Sequence, residues 1–169
     1  MFEIHLKFMD QEKMLVLGFG NEVLTDDGVG VKVVTHFKEL NENPQIVYET
    51  SWLGGLDILD HFIEDYQTAV FIDASKTGNV EPGTIEQYDL DNFKETLHLS
   101  NFHDANFINT IKLGSKLGYR IPGSIIIISI EIVEDELFGN NFSKEIEGKY
   151  KEILKTINAI VQSFSKKPD

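Results

Sequence analysis

The chain alternates short, uninterrupted apolar runs with longer stretches whose apolar residues recur at three and four positions. That alternation constrains the fold more than any other feature. Strands separated by helices pair mainly in parallel and need helical cover on both faces of the sheet. Met14–Leu17 is the first run, ending in Gly18-Phe19-Gly20, and it reads as a strand buried on both sides. A polar loop follows, and from Val29 the residues Val33, Val34, Phe37 and Leu40 keep helical spacing. Asp26 or Asp27 is expected to offer a carboxylate to the free N–H groups at that helix start. Asn43-Pro44 stops the helix, and Ile46–Tyr48 begins a second strand. Gly54–Phe62 is predicted as a second amphipathic helix through Leu56, Leu59 and Phe62. Ala69–Ile72 is predicted as a third buried strand that delivers Asp73 at its carboxyl end. Thr84–Tyr88 is expected near a sheet edge, then a helix over His103–Leu117, a strand over Ser124–Ile132 and a last helix over Ser143–Phe164. These elements make one α/β domain over residues 14–169, preceded by a polar extension over 1–13.

Composition removes several functions. The chain has no cysteine, which excludes a disulfide framework, a zinc–thiolate site and a cysteine nucleophile. Its formal net charge of −13 argues against nucleic acid, because phosphate binding needs a basic face. No apolar run approaches the roughly 20 residues needed to span a bilayer. Residues 1–13 lack an apolar core of signal-peptide length, so the expectation is a cytoplasmic protein, and an acidic monomer.

In open α/β sheets functional groups gather outside the carboxyl ends of the strands. Three candidates fall there: Asp27 in the loop after the first strand, Asp73 at the end of the third, and His103 opening a helix after a loop. Two carboxylates and an imidazole suit a divalent transition metal, with the imidazole favouring nickel, zinc or iron over calcium or magnesium. Each residue also has a plainer reading. Asp27 reads equally as a helix cap, Asp73 as the partner of a neighbouring turn, and His103 as a helix-start residue. His36 and His61, within helical stretches, read as surface residues; His5 lies in the extension, and His98 is a weaker loop candidate. Gly18-Phe19-Gly20 lacks the third glycine of a dinucleotide fingerprint, since position 23 is Val. There is no Gly-x-Ser-x-Gly elbow and no His-Glu-x-x-His pair.

The stretch from Gly18 to Gly30, GFGNEVLTDDGVG, resembles the opening signature of the hydrogenase maturation proteases, in which a strand leads to Gly-x-Gly-Asn, an acidic pair and Gly-x-Gly. Gly54-Gly55-Leu56-Asp57-Ile58-Leu59, Phe71-Ile72-Asp73-Ala74 with Pro82-Gly83-Thr84, and Ser100-Asn101-Phe102-His103-Asp104 resemble later segments of the same family, in order. The resemblance implies a three-layer α/β/α sandwich with a twisted, mostly parallel sheet. It also implies that Asp27, Asp73 and His103 are metal contacts and catalytic residues. The implied activity is an endopeptidase that removes the C-terminal extension of a nickel–iron hydrogenase large-subunit precursor after nickel insertion. The nickel is expected to be presented by that substrate rather than held by the free protein.

Where many relatives have an Asp-Gly-Gly-Thr-like stretch before the second helix, this chain has Thr50-Ser51-Trp52-Leu53-Gly54-Gly55. Trp52, the sole tryptophan, reads either as a partner contact beside the cleft or as packing on the sheet edge. Hydrolysis can run through a metal that polarises the scissile carbonyl or acidifies water, or through a carboxylate base. Two further readings stand beside the first. One is a related peptidase with a different protein substrate. The other is a non-catalytic, metal-sensing, chaperone-like module that docks on the precursor without cutting it.

Overall fold

The structure, a computed structural model, describes residues 13–52, 55–62, 64–90, 92–94 and 104–165. Five strands form its sheet: β1 (Lys13–Phe19), β2 (Ile46–Ser51), β3 (Tyr66–Ser75), β4 (Ile85–Asp89) and β5 (Ser124–Glu131). Helix α1 (Val29–Leu40) joins β1 to β2, α2 (Asp104–Leu117) precedes β5, and α3 (Lys144–Ser165) follows it. The spatial order is β2-β1-β3-β5-β4. All neighbours are parallel except the edge strand β4, which runs antiparallel to β5.

Successive strand residues point to opposite faces, and this parity divides the core in two. Met14 and Val16 of β1, Val70, Ile72 and Ala74 of β3, and Ile126, Ile128 and Ile130 of β5 pack under α1 and α3. Leu15, Leu17, Ala69, Phe71, Ile125 and Ile127 face the other way, beneath the segment Gly55–Phe62 and α2. The three layers expected from the resemblance are therefore present. So are the buried strands read from continuous apolar runs: Leu15, Val16 and Leu17 are fully buried.

Three local expectations need correction. Gly55–Phe62 is a 3₁₀ helix rather than an α-helix, although Ile58, Leu59 and Phe62 are buried as an amphipathic face requires. Strand β3 runs on to Ser75, so Asp73 lies inside it and pairs in register with Ser129. β1 already includes Lys13, the residue expected to close the polar extension. The rest of that extension, residues 1–12, lies outside the described residues.

The topology creates one crevice. The chain leaves β1 through α1 to reach β2 on one side, and later crosses back to place β3 on the other. Connections from the two central strands thus diverge, leaving a gap above their carboxyl ends. Helix α1 seals the floor of that gap by close approach. A Cβ added to Gly30 would stand 2.4 Å from the Ile72 carbonyl oxygen and 2.5 Å from that of Phe19. Only a glycine lets the first turn of α1 rest directly on the β1–β3 seam.

Candidate active site

The loop after β1 is folded back on itself. Gly20 has a φ of 127°, and a Cβ there would lie 1.9 Å from the Asp27 carbonyl oxygen. Glycine is required twice over, for the backbone conformation and for the contact. With the backbones this close, the Asn21 N–H donates to Asp27 Oδ2 at 2.7 Å, and the Asp27 N–H donates to the Leu24 carbonyl at 2.8 Å. The half-buried Asp27 carboxylate is thereby oriented at the mouth of the crevice.

Asp73 approaches from the neighbouring strand. Its carboxylate is half-buried, and Oδ1 accepts the Ala74 N–H at 2.8 Å. Strand parity puts it on the face of Phe71, two residues earlier. Phe107, in the first turn of α2, meets Phe71 edge-on with ring centroids 4.7 Å apart. That contact brings the start of α2 over the carboxyl half of β3. The structure thus sets Asp27 and Asp73 at the carboxyl edge of two strands that pair directly, with Gly18 opposite Ile72. His103, the third predicted residue, lies outside the described residues, as do His98 and His5. Among the described residues no three His, Cys, Asp or Glu side chains converge as a metal-holding group. The two carboxylates supply hard oxygen donors, which suit completing the shell of an ion held elsewhere better than binding a soft ion alone.

Beside Asp27 a cleft of about 210 Å³ opens between the loop and the end of β2, lined by 20–23, Val31 and 50–52. Trp52 stands at its rim with 75% of its surface exposed. Its packing on the sheet edge, one of the two readings from sequence, is therefore not realised.

The acidic pair behaves differently from the capping expectation. The N-cap of α1 is Gly28, and no side chain caps that helix. Asp26 is instead fully buried and reaches across the molecule. Its Oδ1 accepts the Ser143 N–H at 2.7 Å, and its Oδ2 accepts Glu134 N–H at 3.1 Å and, more distantly, Val133 N–H at 3.4 Å. These bonds pin the segment between β5 and α3 onto the loop that carries Asp27. Thr25 adds two more, from its N–H to the Gly139 carbonyl and from Oγ1 to the Leu137 carbonyl at 2.7 Å. They hold Thr25 at a φ of 35°, a conformation that costs a non-glycine residue roughly 1–3 kcal/mol.

Sequence reasoning missed Asp26 as a tether. The one available signal was an Asp-Asp pair in which only one member needs to face the crevice. Lys32, one helical turn into α1, donates to the Asn140 carbonyl and lies 4.3 Å from the centre of the Phe142 ring. Burial lowers its pKa, against the raising effect of Glu22, Asp26 and Glu147. His61, expected at the surface, is only 19% exposed at its side chain and pairs through Nδ1 with Glu49.

With the geometry in place, comparison with known proteins converges. The sequence profile of the family described as hydrogenase maturation protease matches residues 31–160. The hydrogenase expression/formation protein HupD of Rhodobacter capsulatus is 29% identical over 142 residues, 82% of this chain. HupD of Rhizobium leguminosarum bv. viciae is 25% identical over 158 residues, 90% of this chain. The matched stretches span 66% and 75% of those two relatives' own lengths. Among solved structures, the [NiFe] hydrogenase maturation protease HybD from Thermococcus kodakarensis superposes with a TM-score of 0.72 at 23% identity, covering 91% of this chain and 99% of that one. The hydrogenase maturating endopeptidase HybD from E. coli gives 0.69 at 19% identity, over 89% and 93%. At these identities the structural likeness concerns the fold.

Proposed function

The chain belongs to the hydrogenase maturation protease family, and from that premise we propose that it is an endopeptidase that removes the C-terminal extension of a nickel–iron hydrogenase large-subunit precursor. The observation that supports the reading is that Asp27 follows β1 and Asp73 lies near the carboxyl end of β3, two strands that pair directly, within a chain of this family. His103 directly precedes α2 in sequence, and the first turn of that helix packs against Phe71 on the Asp73 face. That connectivity supports assigning it as the third member of the group.

The nickel belongs to the substrate. A precursor that already holds the ion presents it to the crevice, where Asp27, Asp73 and His103 complete its surroundings. An empty precursor lacks the ion that these residues recognise, so cleavage waits for nickel insertion. When bound, the ion supplies Lewis-acid polarisation of the scissile carbonyl.

The remaining steps belong to the chain. The Asn21 and Ala74 N–H groups hold the two carboxylates in fixed orientation, so that little reorganisation is needed when the peptide enters. A carboxylate of the pair takes a proton from the attacking water as its oxygen bonds to the carbonyl carbon. That proton is then returned to the departing amine nitrogen as the C–N bond breaks. The cleft by Trp52 is the natural path for the extended peptide, because it opens beside Asp27 and runs along the end of the edge strand β2.

Intact mass spectrometry of a large-subunit precursor, incubated with this protein with and without nickel, tests the reading. The expected result is loss of a C-terminal peptide in the nickel-loaded sample alone. Cleavage in both samples would remove the nickel gate. Stable binding without cleavage would replace the protease with a recognition module.

A further inference from the structure

The segment between β5 and α3 presents large apolar side chains to solvent while its backbone is firmly held. Phe138 is 84% exposed and Leu137 65%. An isolated exposed apolar residue is ordinary, but a contiguous exposed patch marks a contact surface. The patch is joined to the cleft through the backbone: the Gly139 N–H donates to the Val23 carbonyl at 3.0 Å, and Val23, itself 47% exposed, lines the cleft together with Trp52. Leu137 and Phe138 on one segment, and Val23 and Trp52 at the cleft, thus give the loop that bears Asp27 an exposed apolar border.

The backbone beneath this border is tied to the candidate site. Asp26 gathers N–H groups from both ends of the segment, and Thr25 bonds to Leu137 and Gly139. Glu134 Oε1 accepts the N–H groups of Glu136 and Leu137 at 2.7 and 2.9 Å, closing the turn that displays the apolar pair. Exposed hydrophobic side chains on so well-bonded a turn form a surface prepared in advance, with little ordering cost on association. The charge beside them is negative. Glu134, Asp135 and Glu136 are consecutive, and Lys76 is engaged with Asp135 at 2.6 Å.

We propose that residues 133–138, with Val23 and Trp52, are a docking lip for the body of the protein substrate, whose matching surface is an apolar socket flanked by lysine or arginine side chains. The proposal rests on the functional reading above. It adds that the substrate is held at two places: its peptide in the cleft, and its folded surface on the lip. Apolar anchors carry the affinity of such a contact, and the acidic run gives orientation and rate of encounter. Because Asp26 and Asp27 are adjacent, docking on the lip fixes the substrate relative to the carboxylate that acts on it.

The test is the affinity of the full chain for purified, nickel-loaded large-subunit precursor, measured by calorimetry at low and high salt. Phe138→Ser is expected to weaken binding about tenfold, as loss of one apolar anchor does. Glu136→Lys is expected to weaken it at low salt and to flatten the salt dependence. Leu117→Ser, which alters an apolar residue 62% exposed at the far end of α2, is expected to change nothing. Unchanged melting temperatures establish that the variants are folded. In cleavage assays Phe138→Ser should raise KM and leave kcat unaltered. Tight binding by the unmodified chain that both lip variants retain overturns the lip and leaves the functional reading standing. Absence of binding by the unmodified chain overturns both.

Discussion

Two buried carboxylates hold the carboxyl edge of the sheet together, and they do so on different terms. Asp26, fully buried, collects backbone N–H groups from Val133, Glu134 and Ser143, which lie more than 100 residues along the chain. Glu131, 2% exposed at the end of β5, collects the Thr77 and Gly78 N–H groups at 2.8 and 2.6 Å and the hydroxyls of Ser75 and Thr77. Asp26 stands beside Asp27; Glu131 braces the turn that follows Asp73. The donors differ in what they can do when the carboxylate is gone. The donors to Asp26 are all backbone amides, fixed by the segments that carry them, whereas two of the four donors to Glu131 are hydroxyls that can rotate to other partners. A buried carboxylate is thus as indispensable as its donors are unable to find another acceptor.

The largest effect is expected at Asp26. Asp26→Ala should destabilise the protein by about 3–5 kcal/mol, because three backbone N–H groups lose a charged acceptor at about 1–3 kcal/mol each. Urea unfolding followed by circular dichroism measures this, and a loss under about 1 kcal/mol would mean water replaces the carboxylate.

Asp27→Asn sharpens the contrast between neighbours. The substitution keeps a carbonyl oxygen for Asn21 N–H, so stability should shift by less than about 1 kcal/mol. Cleavage of loaded precursor should nevertheless fall roughly 100-fold or more, within the range for loss of an acid–base group. Asp73→Asn is expected to behave alike, and so is His103→Ala with folding intact. Full-rate processing by any of the three would remove that residue from the site.

Glu131→Ala tests the other side of the comparison. Its expected cost is about 2 kcal/mol, less than at Asp26, because two of the four donors it abandons are hydroxyls free to turn to other partners. A loss equal to that of Asp26→Ala would show that the rotatable hydroxyls find no other acceptor.

The smallest effect concerns pH. Glu134 has its pKa lowered from the ordinary 4.5, first by the Glu136 N–H and then by the Leu137 N–H. A carboxylate with a depressed folded pKa adds order that is present above 4.5 and fades as pH falls through its lower folded value. Amide hydrogen exchange at Glu136 and Leu137 should therefore accelerate on acidification below 4.5, beyond the intrinsic trend and ahead of exchange in β5. No such local change would mean that the turn is held without this charge.

Much of the fold was legible because its signals are local. Continuous apolar runs announced β1, β3 and β5, and residues recurring at three and four announced α1 and α3, with Ile146, Ile153, Ile157 and Val161 buried as that spacing requires. The Gly55–Phe62 segment was legible as a helix but not as to its type. Its apolar pattern fits either helix type over so short a span, and packing against α2 accompanies the tighter form. Asp27 was legible as an acid in the loop after β1 and Asp73 as an acid in the carboxyl half of β3, whereas the role of Asp26 was not. A carboxylate whose partners are amides across the chain leaves no periodic trace in its own neighbourhood. His61 is a similar case, because its partner Glu49 sits on another element.

Local pattern was enough to set which segments are strands and helices, that the sheet is mainly parallel, and that one acid follows the first strand while another lies near the carboxyl end of the third. These are consequences of backbone hydrogen bonding and side-chain periodicity, which act over a few residues. The strand order that opens a crevice between β1 and β3, the division of labour within the acidic pair, and the attachment of an exposed apolar turn to the loop bearing Asp27 emerge only in the folded molecule. Those depend on contacts between segments distant in the chain, where the free energy of pairing a buried carboxylate outweighs any preference carried by its immediate neighbours.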